Sequence, residues 1–161
     1  MNTAVASLPS EREVLVKRSF DAPAHLVWRA YVEPGLMRRW CTGPDGWVMS
    51  VCEMDVRVGG QYAWQWRNDS MGQEFGCHGV FQEVEDGRKI VHTQAWGNVG
   101  DTMGSEPFVV TVELSEIEGK TTVDTLMTFA SMEDRDAAFA TGMTDGMEMG
   151  YKRLEELAGS L

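Results

Sequence analysis

The chain has 161 residues, 43% of them hydrophobic, and a formal net charge of −11, which fits one globular domain with a core of its own. The acidic balance argues against a nucleic-acid face or an anionic membrane surface, both of which need clustered cations. No apolar run approaches the roughly 18 residues needed to span a bilayer. Three widely spaced cysteines, Cys41, Cys52 and Cys77, without a C-x-x-C pair, argue against a disulfide scaffold or a thiolate zinc site and for a reducing compartment.

Residues 1–10 are small and polar with no basic leader, so they are expected to fray and leave 11–161 as a single cytoplasmic domain. Glu13–Phe20 alternates loosely and reads as a first strand. Asp21-Ala22-Pro23 supplies a capping side chain and an early proline for a helix with Leu26, Val27, Ala30 and Tyr31 on its apolar face. Glu33-Pro34-Gly35 breaks the chain, and Leu36 to Cys41 reads as a second short helix carrying Met37 and Trp40.

From Val48 to Phe129 the pattern is strand and turn. Strands are expected at Val51–Val58, Tyr62–Arg67, Phe75–Glu85, Lys89–Trp96, Phe108–Glu116 and Thr121–Phe129. Short turns at Gly59-Gly60, Asn68-Asp69-Ser70, Asp86-Gly87 and Glu118-Gly119 require antiparallel neighbours. The longer Gly97–Glu106 connection is expected to be mobile. For the first hairpin, a three-residue turn over Gly59, Gly60 and Gln61 pairs Val58 with Tyr62, Val56 with Trp64 and Met54 with Trp66. That register gives one apolar face of Cys52, Met54, Val56, Tyr62, Trp64 and Trp66.

Ser131 to Leu161 reads as one long helix capped by the Ser131 hydroxyl, with Phe139, Met143, Met147, Leu154 and Leu157 along one face. Gly142, Gly146 and Gly150 recur once per turn beside that stripe. Each interior glycine costs a helix roughly 1 kcal/mol relative to alanine. Either something approaches the backbone there, or the helix is held by packing elsewhere. One curved sheet around one helix, closed at an end by two short helices, is the compact solution for this order. Six tryptophans and eleven methionines could line a cavity or fill a solid core, and composition leaves both open.

The residues that carry a resemblance run through nearly the whole chain after Ser10. They are Phe20-Asp21-Ala22-Pro23 with Val27-Trp28, Glu33-Pro34 with Arg39-Trp40, Met54-Asp55-Val56-Arg57-Val58-Gly59-Gly60, and Gly79-Val80-Phe81 before Glu83-Val84. Thr141-Gly142-Met143-Thr144-Asp145-Gly146-Met147 and Tyr151-Lys152-Arg153-Leu154 complete them. In this order the sequence resembles the START-like (SRPBCC) superfamily, and within it proteins related to the activator of the heat-shock protein 90 ATPase. The resemblance implies an α+β helix-grip fold, with a deep pocket between a curved antiparallel sheet and a long C-terminal helix. It spans lipid carriers, hormone and allergen-type binders, aromatase/cyclase domains and cochaperone domains.

The expected function is therefore binding of a small hydrophobic ligand, aromatic ones included, without chemistry. Met54, Tyr62, Trp64, Trp66, Phe81, Trp96, Met143 and Met147 are the expected pocket lining, Trp28, Trp40 and Trp47 its narrowed entrance, and Gly97–Glu106 its gate. One alternative is a cochaperone-type interaction domain with a chaperone as partner. Another is an aromatase/cyclase-like enzyme using His78 or His92 as a proton carrier. Nucleophilic catalysis lacks a motif: Cys77 and His78 are strand neighbours and point to opposite faces. No cofactor and no metal are expected. A two-residue turn puts His78 and His92 on opposite faces; a three-residue turn puts them on one face about 13 Å apart, too far to share zinc. Asp55 and Arg57 are expected to form a cross-strand surface pair of little energetic weight.

Overall fold

The computed structural model describes residues 2–97 and 106–161. In chain order, β1 (Val5–Ser7) and β2 (Glu13–Phe20) precede α1 (Ala24–Val32) and α2 (Pro34–Trp40). Then come β3 (Val48–Met54), β4 (Gln61–Asn68), β5 (Gln73–Glu85), β6 (Lys89–Trp96), β7 (Phe108–Ile117) and β8 (Lys120–Thr128). Two helices, α3 (Met132–Phe139) and α4 (Met143–Ser160), end the chain. The strands form one antiparallel sheet in the order β1-β2-β8-β7-β6-β5-β4-β3, with α4 laid across its concave face: a helix-grip α+β fold.

The N-terminal residues expected to fray are instead a strand, Val5–Ser7 pairing with Leu15–Lys17. They are tied down from above as well. The Asn2 side-chain amide donates to Glu155, and the Ala4 backbone N–H donates to Glu148, both on α4. The start of α1 departs from the expected cap. Pro23 occupies the cap position, and the N–H of Ala24 donates to the Glu116 carboxylate of β7 instead. An orphan donor of the first turn is thus satisfied across the fold rather than locally.

The β3–β4 hairpin takes a different register from the expected one. Met54 faces Tyr62, Cys52 faces Trp64 and Met49 faces Trp66. The expected pairing fails because residues 55–60 fold into a turn of their own. The N–H of Arg57 donates to the Asp55 carbonyl and that of Gly60 to the Arg57 carbonyl. Gly60 lies so close to this turn that a β-carbon on it would sit 1.9 Å from the Asp55 oxygen. The loop then joins β5, with Gly59 and Gly60 exchanging hydrogen bonds with Phe81. Val58 therefore leaves the inner face and is exposed, while Val56 stays partly buried against the core. Asp55 and Arg57 pair within the exposed loop at 2.8 Å, not across strands.

The C-terminal segment is two helices rather than one. Ser131 does cap α3, accepting the N–H of Asp134 at 3.1 Å. The helix then stops, and Gly142, at φ 79°, turns the chain through the left-handed region into α4. Phe139 is left half-exposed as a result, while Tyr151, Leu154 and Leu157 are the buried face of α4. The three glycines divide by role: Gly142 makes the turn, and Gly150 lets the backbone of α2 approach, with the Trp40 carbonyl 3.3 Å from where its β-carbon would lie. At Gly146 a β-carbon would meet only open space.

What fixes α4 to the sheet is an ion-pair cluster. Arg18 alternates with Val16 and Phe20 on the inward side of β2 and is almost wholly buried. Its guanidinium reaches two carboxylates two turns apart on α4, Glu148 at 3.0 Å and Glu155 at 2.6 Å. It also donates to the Ser19 carbonyl and lies 4.9 Å from the centroid of the Phe20 ring. Burial alone would lower the Arg18 pKa, but hydrogen bonds and attraction from Glu148 and Glu155 outweigh it and hold it above its ordinary value. Burial would likewise raise both carboxyls, yet their hydrogen bonds to Arg18 hold them below the usual carboxylate range.

Removing one partner of a buried pair leaves the other uncompensated, at about 3–5 kcal/mol. Arg18→Met is therefore expected to lower the unfolding free energy by about that amount, read as a shifted urea midpoint. Because the folded carboxyl pKa values are depressed, their stabilisation is complete above the unfolded value and is lost as pH falls through the folded one. Acid unfolding of the Arg18→Met variant is accordingly expected to depend less steeply on pH below about 4.5 than that of the parent.

Candidate functional site: an apolar cavity under α4

Between the concave face of the sheet and α4 lies a cavity of about 510 Å³, within the usual range for small-molecule sites. α4 is held over it by the Arg18 clamp at Glu148 and Glu155 and by Trp40, which packs at Gly150 and Tyr151 between those two carboxylates. Trp40 donates its indole N–H to the Ala30 carbonyl at 2.8 Å and stacks near Tyr151, so α1, α2 and α4 meet at one ring. Trp66 donates to the Cys41 carbonyl at 2.7 Å and anchors the loop after α2 to β4.

Of the residues read from the sequence as pocket lining, Met54, Trp64, Trp66, Phe81, Trp96, Met143 and Met147 lie on the cavity surface. Tyr62 does not. It is buried behind the wall, where its hydroxyl donates to the Thr93 carbonyl and its ring packs on Trp64 at 4.3 Å. Among the expected entrance residues, Trp40 and Trp47 border the cavity. Trp28 is buried in the core on α1 instead, as a consequence of the helix presenting Val27, Trp28 and Ala30 together. Trp47, Phe75 and Trp96 make a chain of ring contacts at one edge, and Phe75 and Trp96 are partly exposed there. Most of the expected gate, Gly97–Glu106, lies outside the described residues.

The sequence reading missed the deeper wall, to which Val110 and Val112 of β7, Met127 of β8 and Tyr151 of α4 contribute. The inward alternation of β7 and β8 signals the first three. Tyr151 was hidden because the helical stripe was drawn through Leu154 and Met147 without the position between them.

His92 is the imidazole of this wall, whose other polar side chains include Gln94 and Thr125. It is buried at 5% exposure, and its Nδ1 lies 3.0 Å from the Thr93 carbonyl. Burial lowers its pKa to about 4, so the ring is neutral at physiological pH. His78 lies on the other face. The turn at 86–88 has three residues, which alone would put both histidines on one side. A bulge between Phe81 and Glu83 then shifts the register, so His92 pairs with Phe81 and His78 with Ala95. Together the two histidines cannot act on one substrate.

The thiols are equally unsuited to nucleophilic work. Burial pushes Cys41 up to about 12 and Cys52 to about 11, and raises Cys77 further, so all three stay protonated. Among the described residues, no three His, Cys, Asp or Glu side chains are grouped to hold a metal ion. No described helix is long and apolar enough to cross a membrane.

Residues 21–159 match the model of the family described as Activator of Hsp90 ATPase homolog 1-like protein. The chain belongs to that family. No curated protein matches it. A solved Rhodobacter sphaeroides protein is 25% identical, with a TM-score of 0.87 over 98% of this chain and 99% of that one. A Nitrosomonas europaea protein is 26% identical, with a TM-score of 0.81 over 95% and 97%. An AHSA1-like protein from Aeromonas hydrophila shares the fold at 19% identity, with a TM-score of 0.73 over 91% and 94%. These are relatives in the START-like fold.

The β4–β5–β6 packing has a local requirement at Gly79. A β-carbon on Gly79 would lie 2.0 Å from the Thr93 carbonyl and 2.8 Å from the Tyr62 ring. Gly79→Ala must displace the strand that orients His92, and overpacking of this kind typically costs about 1–3 kcal/mol. A drop in thermal midpoint, with a changed near-ultraviolet signal from Tyr62 and Trp64, is the expected result.

Proposed function

We propose that the protein reversibly binds a small, mainly apolar ligand in the cavity under α4, without chemistry. One observation carries this reading: a space of about 510 Å³ is walled mainly by rings, thioethers and aliphatic groups, with no charged side chain among the described lining residues. Site residues for this function are Met54, Trp64, Trp66, Phe81, Trp96, Met143 and Met147, with Trp40 and Trp47 at the border; Tyr62 supports them from behind.

An aromatase/cyclase-type reaction is less well served. A general base works best with a pKa near the operating pH, and His92 sits near 4. A chaperone partner would follow from the family description, but the cavity gives it no particular support. A pull-down with the cavity blocked by an apolar ligand separates the two: a chaperone-binding module keeps its partner.

Titration with naphthalene is expected to quench tryptophan fluorescence saturably. Trp64→Ala or Met147→Ala should weaken binding about tenfold, which corresponds to about 1.4 kcal/mol of lost contact. Gly146→Ala offers a separate check. Its methyl meets no protein atom, so it should stabilise α4 by up to about 1 kcal/mol while narrowing the cavity and reducing naphthalene affinity. Absence of saturable quenching with any apolar probe would favour a core that closes on itself.

A further inference from the structure

The wall of the cavity has an uneven polarity that bears on which ligand it takes. His92 is the feature of interest: its ring is buried, yet it borders the cavity. The Thr93 carbonyl can only accept, so the Nδ1 that lies 3.0 Å from it must carry the ring proton. The same carbonyl also accepts from the Tyr62 hydroxyl, which fixes it in place from the other side. A neutral ring protonated at Nδ1 has an unprotonated Nε2, and that atom has no partner among the described residues. It is a hydrogen-bond acceptor held in an apolar wall.

A donor stands close by. The ring of Trp64 lies 5.9 Å from that of His92, centroid to centroid, and its indole N–H is buried without a partner. Buried polar groups are ordinarily paired, and each left unpaired carries a desolvation cost. The Trp64 N–H is closed off from the cavity, so the unused His92 acceptor is the group that a ligand hydroxyl, which can donate, would complement. No lysine or arginine lies among the described lining residues. A carboxylate or phosphate entering this space would be buried without a counter-charge, a heavy penalty.

We infer that the cavity selects an uncharged, hydroxyl-bearing aromatic molecule, whose hydroxyl donates to His92 Nε2, and rejects carboxylates of the same size. This rests on the carrier reading above and names its ligand class. Tyr62 and Thr93 are positioning residues that present Nε2 and do not touch the ligand.

The test is calorimetric titration of the intact protein at neutral pH with three probes sharing one ring system: naphthalene, 2-naphthol and 2-naphthoate. The expected order is 2-naphthol tightest, about five- to tenfold better than naphthalene, with 2-naphthoate about tenfold or more below naphthalene. In His92→Phe the ratio of naphthol to naphthalene affinity should fall towards one. Nitrogen NMR of the parent supplies a readout independent of any variant. The His92 Nε2 resonance should move away from the bare-acceptor position when 2-naphthol is added and stay in place with naphthalene. Equal affinity for naphthalene and 2-naphthol, tight binding of 2-naphthoate, or an unmoved Nε2 resonance each overturns this inference and leaves the carrier reading standing. Failure of all three probes to bind overturns both.

Discussion

The fold depends on one buried cation. A curved sheet with a helix across it has no intrinsic reason to leave space between the two, because apolar surfaces close on each other when nothing opposes them. Arg18 holds α4 at a fixed place by gripping Glu148 and Glu155 together, two turns apart on one helix face. The grip is directional, unlike apolar packing. It also orders the N-terminal strand, since Asn2 and Ala4 donate to the same two carboxylates. Trp40 props the same helix from beside Gly150. Held by these contacts, α4 extends its N-terminal turns, with Met143, Gly146 and Met147, over the sheet without having to sink into it.

Charge and apolar surface are thereby separated along α4. The carboxylates at 148 and 155 are spent on Arg18, while Met143, Met147 and the bare backbone at Gly146 face the cavity. The acidic surface implied by a net charge of −11 stays outside. Inside, the wall is apolar, and its polar atoms are mostly paired with protein: Thr125 with the Tyr151 hydroxyl, and His92 Nδ1 with Thr93. Methionine suits such a lining because its unbranched thioether adapts to ligands of differing outline.

Much of this was legible in the chain, and the failures have physical causes. β2 and β6 fall on the expected residues, since alternation and turn glycines there act without competition. The β3–β4 register was misread because Asp55, Arg57 and Gly60 make local hydrogen bonds that win over ladder pairing, and face polarity alone does not reveal that contest. The break at Gly142 was misread because periodicity continues across it: a left-handed residue shifts direction without erasing the pattern of apolar spacing. The histidine faces depended on a single bulge between Phe81 and Glu83. Arg18 left a signal, a cation at an inward position between Val16 and Phe20, but its meaning appears only with Glu148 and Glu155 seven residues apart on a facing helix.

The central claim, that the hollow between sheet and α4 is where a ligand sits, has built-in reporters. Met37, Met54, Met127, Met143 and Met147 border it, whereas Met71, Met132 and Met149 are exposed elsewhere. Methyl NMR of methionine-labelled protein during titration with an apolar ring compound tests the claim most directly. The account predicts saturable shifts at the five bordering methyls and none at the three exposed ones. Shifts confined to Met71, Met132 and Met149, or no saturable shift at all, would contradict it.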